Sequence, residues 1–224
     1  MQYLDLDFDK IFSEVSNFDV KTAIQGETTD LQRLLSLISA EAQTQLEDMA
    51  ERAHEITLRN FGRTIQLYTP MYLSNYCQNQ CLYCGFNSKN KVERKKLDLR
   101  EVEKEARFIS ATGLKHILVL TGESRIESPV SYILECVKIL RKFFSSISVE
   151  VYALSQEEYA LLVSEGVDGL TIYQEVYDQK VYDAVHCAGP KKDYRFRLDA
   201  PERGAKAGMR NISITQSAGR SKSK

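Results

Sequence analysis

From Thr64 to Ser88 the chain carries no Asp, Glu, Lys or Arg, although charged residues make up 27% of its 224 positions. The run is long enough to cross a bilayer, but Pro70, Asn75, Gln78, Asn79, Gln80 and Asn87 are too polar for hydrocarbon. An uncharged yet polar stretch holding Cys77, Cys81 and Cys84 reads as a buried strand running into a site.

The flanks set the architecture. The residues before Arg63 look helical: Leu31, Leu34, Leu35 and Ile38 share one face of a segment from Thr29 to Ile38. Leu46, Met49, Ala50, Ala53 and Ile56 share another, ended by Gly62 at a helix C-cap position. Two helices packed on a larger core are expected there. After Gly62, short runs rich in β-branched and aromatic residues alternate with amphipathic stretches. Strands are predicted at Ile65–Ser74, His116–Thr121, Ser148–Ala153, Gly169–Tyr173 and Asn211–Ile214. Helices are predicted at Asp98–Thr112, Pro129–Phe144, from an N-cap at Ser155 to Gly166, at Asp178–Val185 and at Asp193–Ala207. Five β/α units without hairpin signals predict an α/β fold, a partial (β/α) TIM-type barrel with N-terminal helices and its last strands missing. The organisation is a helical segment over 1–63, a barrel core over 64–214 and a polar, basic tail over 215–224, expected to be disordered. A fifth strand that ends the sheet would be an unprotected edge.

With 30 basic and 31 acidic side chains the formal charge is −1, which gives no footprint for nucleic acid or an acidic membrane surface, so neither is expected as a partner. A hydrophobic fraction of 43% with 11 Gly and 4 Pro describes an ordinary globular chain, long enough for one domain or one and a half. Five cysteines is an odd count, and the first residues are acidic where an export signal would be basic and apolar. A reducing cytoplasm is therefore expected, not a secreted disulfide scaffold.

Cys77, Cys81 and Cys84 form a CxxxCxxC motif directly after the first predicted strand. Three thiolates on one loop can converge on a metal centre, whereas structural zinc and electron-carrying clusters normally take four protein ligands. A [4Fe–4S] cluster held by three cysteines leaves one iron open to substrate or cofactor. Zinc with a distant fourth ligand, Cys136, Cys187 or His116, is the alternative.

The motif Cys77-Gln-Asn-Gln-Cys81-Leu-Tyr83-Cys84 resembles the signature of the radical S-adenosylmethionine enzymes, with the aromatic residue before the third cysteine. Tyr72-Leu-Ser-Asn-Tyr-Cys77, the basic run through Arg94-Lys-Lys-Leu97, Leu120-Thr-Gly-Glu123 and Tyr173-Gln-Glu-Val-Tyr177 are similar to the tyrosine-lyase branch, the 2-iminoacetate synthases of thiamine biosynthesis. A sister tyrosine lyase, the maturase of [FeFe]-hydrogenase, shares much of this. Thr121-Gly-Glu and the basic run favour the thiamine branch.

The resemblance implies a [4Fe–4S] cluster on the three cysteines, with S-adenosylmethionine chelating the fourth iron. It also implies that the Gly122–Glu123 backbone receives the methionyl amine, that Tyr83 lies against adenine and that Arg197 meets the methionyl carboxylate. Glu175 or Gln174 would bind ribose or substrate. The implied reaction cleaves the Cα–Cβ bond of L-tyrosine to 2-iminoacetate and p-cresol, with thiazole synthase and a flavodoxin- or ferredoxin-type reductant as partners. Family members continue beyond the fifth strand with a part that helps enclose tyrosine, and the residues after Ile214 differ from it. The expectation is a shortened chain that keeps the cluster and part of the S-adenosylmethionine site without the tyrosine pocket. A zinc module and a fragment that only docks onto thiazole synthase are the readings from other classes. Against these roles stand plainer ones: Arg197 as a surface charge, Glu123 and Glu175 as helix-dipole partners, His54, His116 and His186 without function, Cys136 and Cys187 as inert thiols, and Lys89–Lys96 as a solvated loop.

Overall fold

A computed structural model describes residues 6–27 and 30–216. The chain divides into two compact units, Met1–Ile65 and Gln66–Lys224.

Among its described residues the first unit holds four α-helices where two were expected: α1 (Phe8–Glu14), α2 (Asn17–Gln25), α3 (Leu31–Leu37) and α4 (Leu46–Phe61), with a 3₁₀ turn at Glu41–Gln45. Side chains signal the starts of the first three. Asp7 and Asp30 accept from backbone amides three residues on, and Ser16 forms a capping box with Asp19. Val20, Ile24 and Ala42 form a core of this unit's own, so its helices have an internal packing partner.

The second unit is a five-stranded parallel sheet in the order β1-β2-β3-β4-β5, made of β1 (Tyr68–Ser74), β2 (His116–Thr121), β3 (Ser146–Glu150), β4 (Gly169–Glu175) and β5 (Asn211–Gln216). Consecutive parallel order with a helical crossover at each step is the sheet of a β/α barrel. The crossovers run through α5 (Leu99–Ala111), α6 (Val130–Leu140), α7 (Gln156–Ser164), and then α8 (Gln179–Val185), α9 (Tyr194–Leu198) and α10 (Ala200–Lys206). Capping boxes at Asp98–Glu101 and Ser155–Glu158 start α5 and α7. One face of the sheet packs under the helices through Leu73, Ile117, Val119, Ile147, Val149 and Leu170 against Val102, Ile133, Cys136, Leu140 and Leu162.

Several expected boundaries shift. β1 starts at Tyr68 because Ile65 and Leu67 are exposed and have no strand to pair with. The helix expected over Asp193–Ala207 is two, broken at Asp199. Pro201, which lacks an N–H, suits the first turn of a new helix and not the interior of a long one. β5 extends to Gln216, two residues into the expected tail, and 217–224 lie outside the described residues.

Candidate active site

Cys77, Cys81 and Cys84 line a cavity of about 450 Å³ at the C-terminal ends of the strands, together with Tyr83, Leu120, Gly122, Glu123, Glu150, Tyr152, Tyr173, Glu175, Lys191 and Arg197. Groups following four different strands therefore meet at the end of the sheet where β/α barrels carry their chemistry. Two strands break register there, β1 between Tyr72 and Ser74 and β4 between Tyr173 and Glu175. Bulges of this kind re-aim side chains beside sites. Glu175 is also the one positive-φ residue other than glycine among the described residues, at 73°. A backbone conformation that costs about 1–3 kcal/mol persists only where its surroundings over-determine it. Glu175 is so held: it is buried and its carboxylate meets the Lys191 ammonium at 2.8 Å.

The cysteine loop is fixed from two sides. Arg94 donates to the carbonyls of Asn75 (2.7 Å), Phe86 (3.0 Å) and Asn87 (2.8 Å), and Asn87 in turn donates to the Cys81 carbonyl at 2.9 Å. Arg94 is therefore a staple, which corrects the reading of this basic run as merely solvated. On the other side Cys81 pairs with His186 in an antiparallel bridge, while the Gln80 amide donates to Ala188 and the Leu82 amide to Val185. Asn79, between the first two cysteines, is buried and braces the whole arrangement. It donates to the Glu123 carboxylate at 2.7 Å and accepts the Lys191 amide at 2.9 Å.

His186 is fully buried. Its Nδ1 lies 2.8 Å from the Tyr182 carbonyl and so carries the proton, leaving Nε2 to accept from the Tyr83 hydroxyl at 2.7 Å. Burial holds its pKa down to about 4. Burial likewise lowers that of Lys191, with Arg197 adding repulsion, and raises those of Tyr83 and the Cys81 thiol. Lys191 opposes the rise at Cys81, and Cys77 and Cys84 add to it.

Gly122 is required by space: a Cβ there would collide with the Tyr76 carbonyl. Arg197 is buried, not a surface charge. Its Nε donates to the Tyr173 carbonyl at 2.7 Å, and the side chain lines the cavity. Gln174 departs from expectation. Strand alternation turns it to the helix side of β4, away from Glu175, into a second cavity of about 210 Å³ with Tyr177, Leu198 and Asp199. Its buried amide has no hydrogen-bond partner among the described residues.

The fourth ligands considered for zinc are poorly placed. His116 begins β2 at the opposite end of the sheet, Cys136 sits on the buried face of α6 with its pKa pushed up to about 11 by burial, and Cys187 turns its thiol to the Ala184 carbonyl. Among the described residues, no three His, Cys, Asp or Glu side chains close around a point as one metal ion requires. Three neighbouring thiols spread along a wide cavity suit a larger group, whose iron atoms each take one sulfur. No helix among the described residues is long and apolar enough to cross a membrane.

A radical SAM superfamily model matches residues 71–219. The 2-iminoacetate synthase of Salmonella typhimurium is 38% identical over 196 residues, 88% of this chain and 52% of that protein. The enzyme of the same name from Escherichia coli (strain K12) is 36% identical over 216 residues, 95% of this chain and 57% of that protein. Among solved structures, HydG, a maturase of the [FeFe]-hydrogenase, superposes with a TM-score of 0.87 at 26% identity, covering 97% of this chain and 51% of HydG. The chain spans about half the length of the curated relatives it matches.

Proposed function

The chain belongs to the radical S-adenosylmethionine superfamily, whose members use a [4Fe–4S] cluster and S-adenosylmethionine, and from that premise we propose that it is a carbon–carbon lyase of the 2-iminoacetate synthase kind, acting on L-tyrosine. The observation that carries the reading is the convergence of three thiols from one loop and the ends of four strands on one cavity. Cys77, Cys81 and Cys84 would hold the cluster. When bound, that cluster and S-adenosylmethionine together supply a 5′-deoxyadenosyl radical able to take a hydrogen atom from the substrate.

The chain's own part is to bind, orient and shield. The Gly122–Glu123 backbone, close against Tyr76 because position 122 has no Cβ, offers an edge for the methionyl amine. Arg197, anchored through Nε, presents its terminal nitrogens to a carboxylate in the bidentate geometry that suits this group. Tyr83, its hydroxyl tied to His186, offers its ring as a flat wall for adenine. Glu175, held on Lys191, would meet ribose hydroxyls. The product imine is unstable in water, so a thiazole synthase to receive it and a flavodoxin- or ferredoxin-type reductant to serve the cluster complete the proposal.

Likeness to HydG supports a second reading, the tyrosine lyase of [FeFe]-hydrogenase maturation. The higher identity to the 2-iminoacetate synthases favours the first. Anaerobic iron–sulfur reconstitution followed by assay of 5′-deoxyadenosine, p-cresol and 2-iminoacetate, with and without tyrosine, tests the proposal. Tyrosine-dependent p-cresol supports it. Deoxyadenosine without p-cresol keeps the radical chemistry and removes the lyase activity from this chain.

A further inference from the structure

Three carboxylates line the main cavity, and two are committed. Glu123 accepts from Asn79, and Glu175 is paired with Lys191. The third, Glu150, is the last residue of β3 and points inward because its neighbour Val149 packs outward into the helix-side core. Among the described residues its carboxylate has no hydrogen bond and no ion pair. It is partly buried, and burial raises its pKa while Arg197 and Lys191 oppose the rise. A half-buried carboxylate with no fixed partner, in a cavity where three carboxylates face two cations, leaves one negative charge for a bound cation to balance.

We propose that Glu150 receives the α-ammonium group of the substrate amino acid and so makes the site selective for amines over their des-amino counterparts. The inference rests on the tyrosine-lyase reading for the identity of the amino acid, but not for the existence of the ammonium site. S-adenosylmethionine carries the same chemistry in its methionyl end. That end has its own suggested seat at Gly122–Glu123, just after β2, and at Arg197 on α9, whereas Glu150 lies on β3 and has no hydrogen bond or ion pair with either. Every group of the proposed site lies within the described residues.

The test is calorimetric titration of the anaerobically reconstituted chain, saturated with S-adenosylmethionine, with L-tyrosine, tyramine and 3-(4-hydroxyphenyl)propionate. Tyrosine and tyramine are expected to bind about tenfold more tightly than the des-amino acid, the size of a charge-assisted hydrogen bond. Glu150→Gln should abolish that preference and leave S-adenosylmethionine affinity within about twofold, since one ligand loses its partner and the other does not. Glu150→Asp, which keeps the charge, should retain part of the preference. A preference that survives in E150Q overturns the proposal. So does an E150Q loss of S-adenosylmethionine affinity matching the loss for tyrosine, which would assign Glu150 to the cofactor. A wild-type chain with no preference for the amine overturns it without recourse to any variant. If the wild type favours a different α-amino acid over its own des-amino analogue, and E150Q erases that preference, the ammonium site stands and the tyrosine reading fails.

Discussion

Asn79 shows how much of the site rests on one side chain that touches no reacting atom. Its amide joins the Glu123 carboxylate to the Lys191 amide, tying the end of β2 to the connection before α9 across the cysteine loop. Asn79→Ala would strand both partners, at a cost of about 2–3 kcal/mol, and would lower the iron retained per chain after reconstitution. Asn79→Asp is isosteric but sets a carboxylate against Glu123, so its urea midpoint should fall at least as far as that of the alanine variant. A milder loss in the aspartate would show that the Glu123 contact contributes nothing. Tyr83→Phe keeps the ring and removes the donor to buried His186, and a stability loss of about 1–3 kcal/mol is expected in the same titration. The three cysteines are marked locally by a contiguous motif, and Gly122, Glu123 and Glu175 by their place after a predicted strand, whereas Tyr83 and Arg197 enter only through the family resemblance. Asn79, Glu150, His186 and Lys191 carry no such mark. An asparagine in a loop, a glutamate ending a strand, a histidine after a helix and one lysine of a pair acquire their roles only when distant segments close on one another.

At the scale of elements, the sequence was most informative where local chemistry and burial agree. β2 runs from His116 to Thr121 as its apolar run suggests, and the caps at Asp98 and Ser155 start their helices where expected. The fourth strand runs two residues past its expected end, into a bulge with a positive φ that is held by Lys191 and the cavity and not by strand propensity. The connection from His186 to Gly189, between α8 and a 3₁₀ turn at Pro190–Lys192, behaves as an element although it is neither helix nor strand, since with the flanking Val185 it pairs with the cysteine loop at Gln80, Cys81 and Leu82. Gly189 makes that docking possible. Its φ is 96°, and a Cβ there would collide with Asn79. Gly189→Ala therefore combines a left-handed backbone with an unavoidable clash, and a loss above about 2 kcal/mol is expected. Iron content should fall in parallel, and unchanged iron in a destabilised variant would show that the loop holds its shape without this connection.

For the molecule as a whole, the two units differ in what holds them. Residues 66–216 share a continuous core between sheet and helices, whereas the described part of 1–65 relies on a cluster of three buried side chains, Val20, Ile24 and Ala42. Local stability follows the apolar surface a unit removes from water, so opening is expected to be far easier in the helical unit. Ligand linkage acts on the other one. Every residue lining the main cavity belongs to the second unit, and a ligand at about 100 times its dissociation constant adds about 2.7 kcal/mol to the state that binds it. Hydrogen exchange on the anaerobically reconstituted chain separates the two effects. Amides of β2 and β3 should exchange last and those of α1–α3 first, and S-adenosylmethionine should slow exchange around 76–86, 120–123 and 191–197 while leaving 8–61 unchanged. Equal slowing across 8–61 would mean that the two units open together and that the division between them has no energetic counterpart.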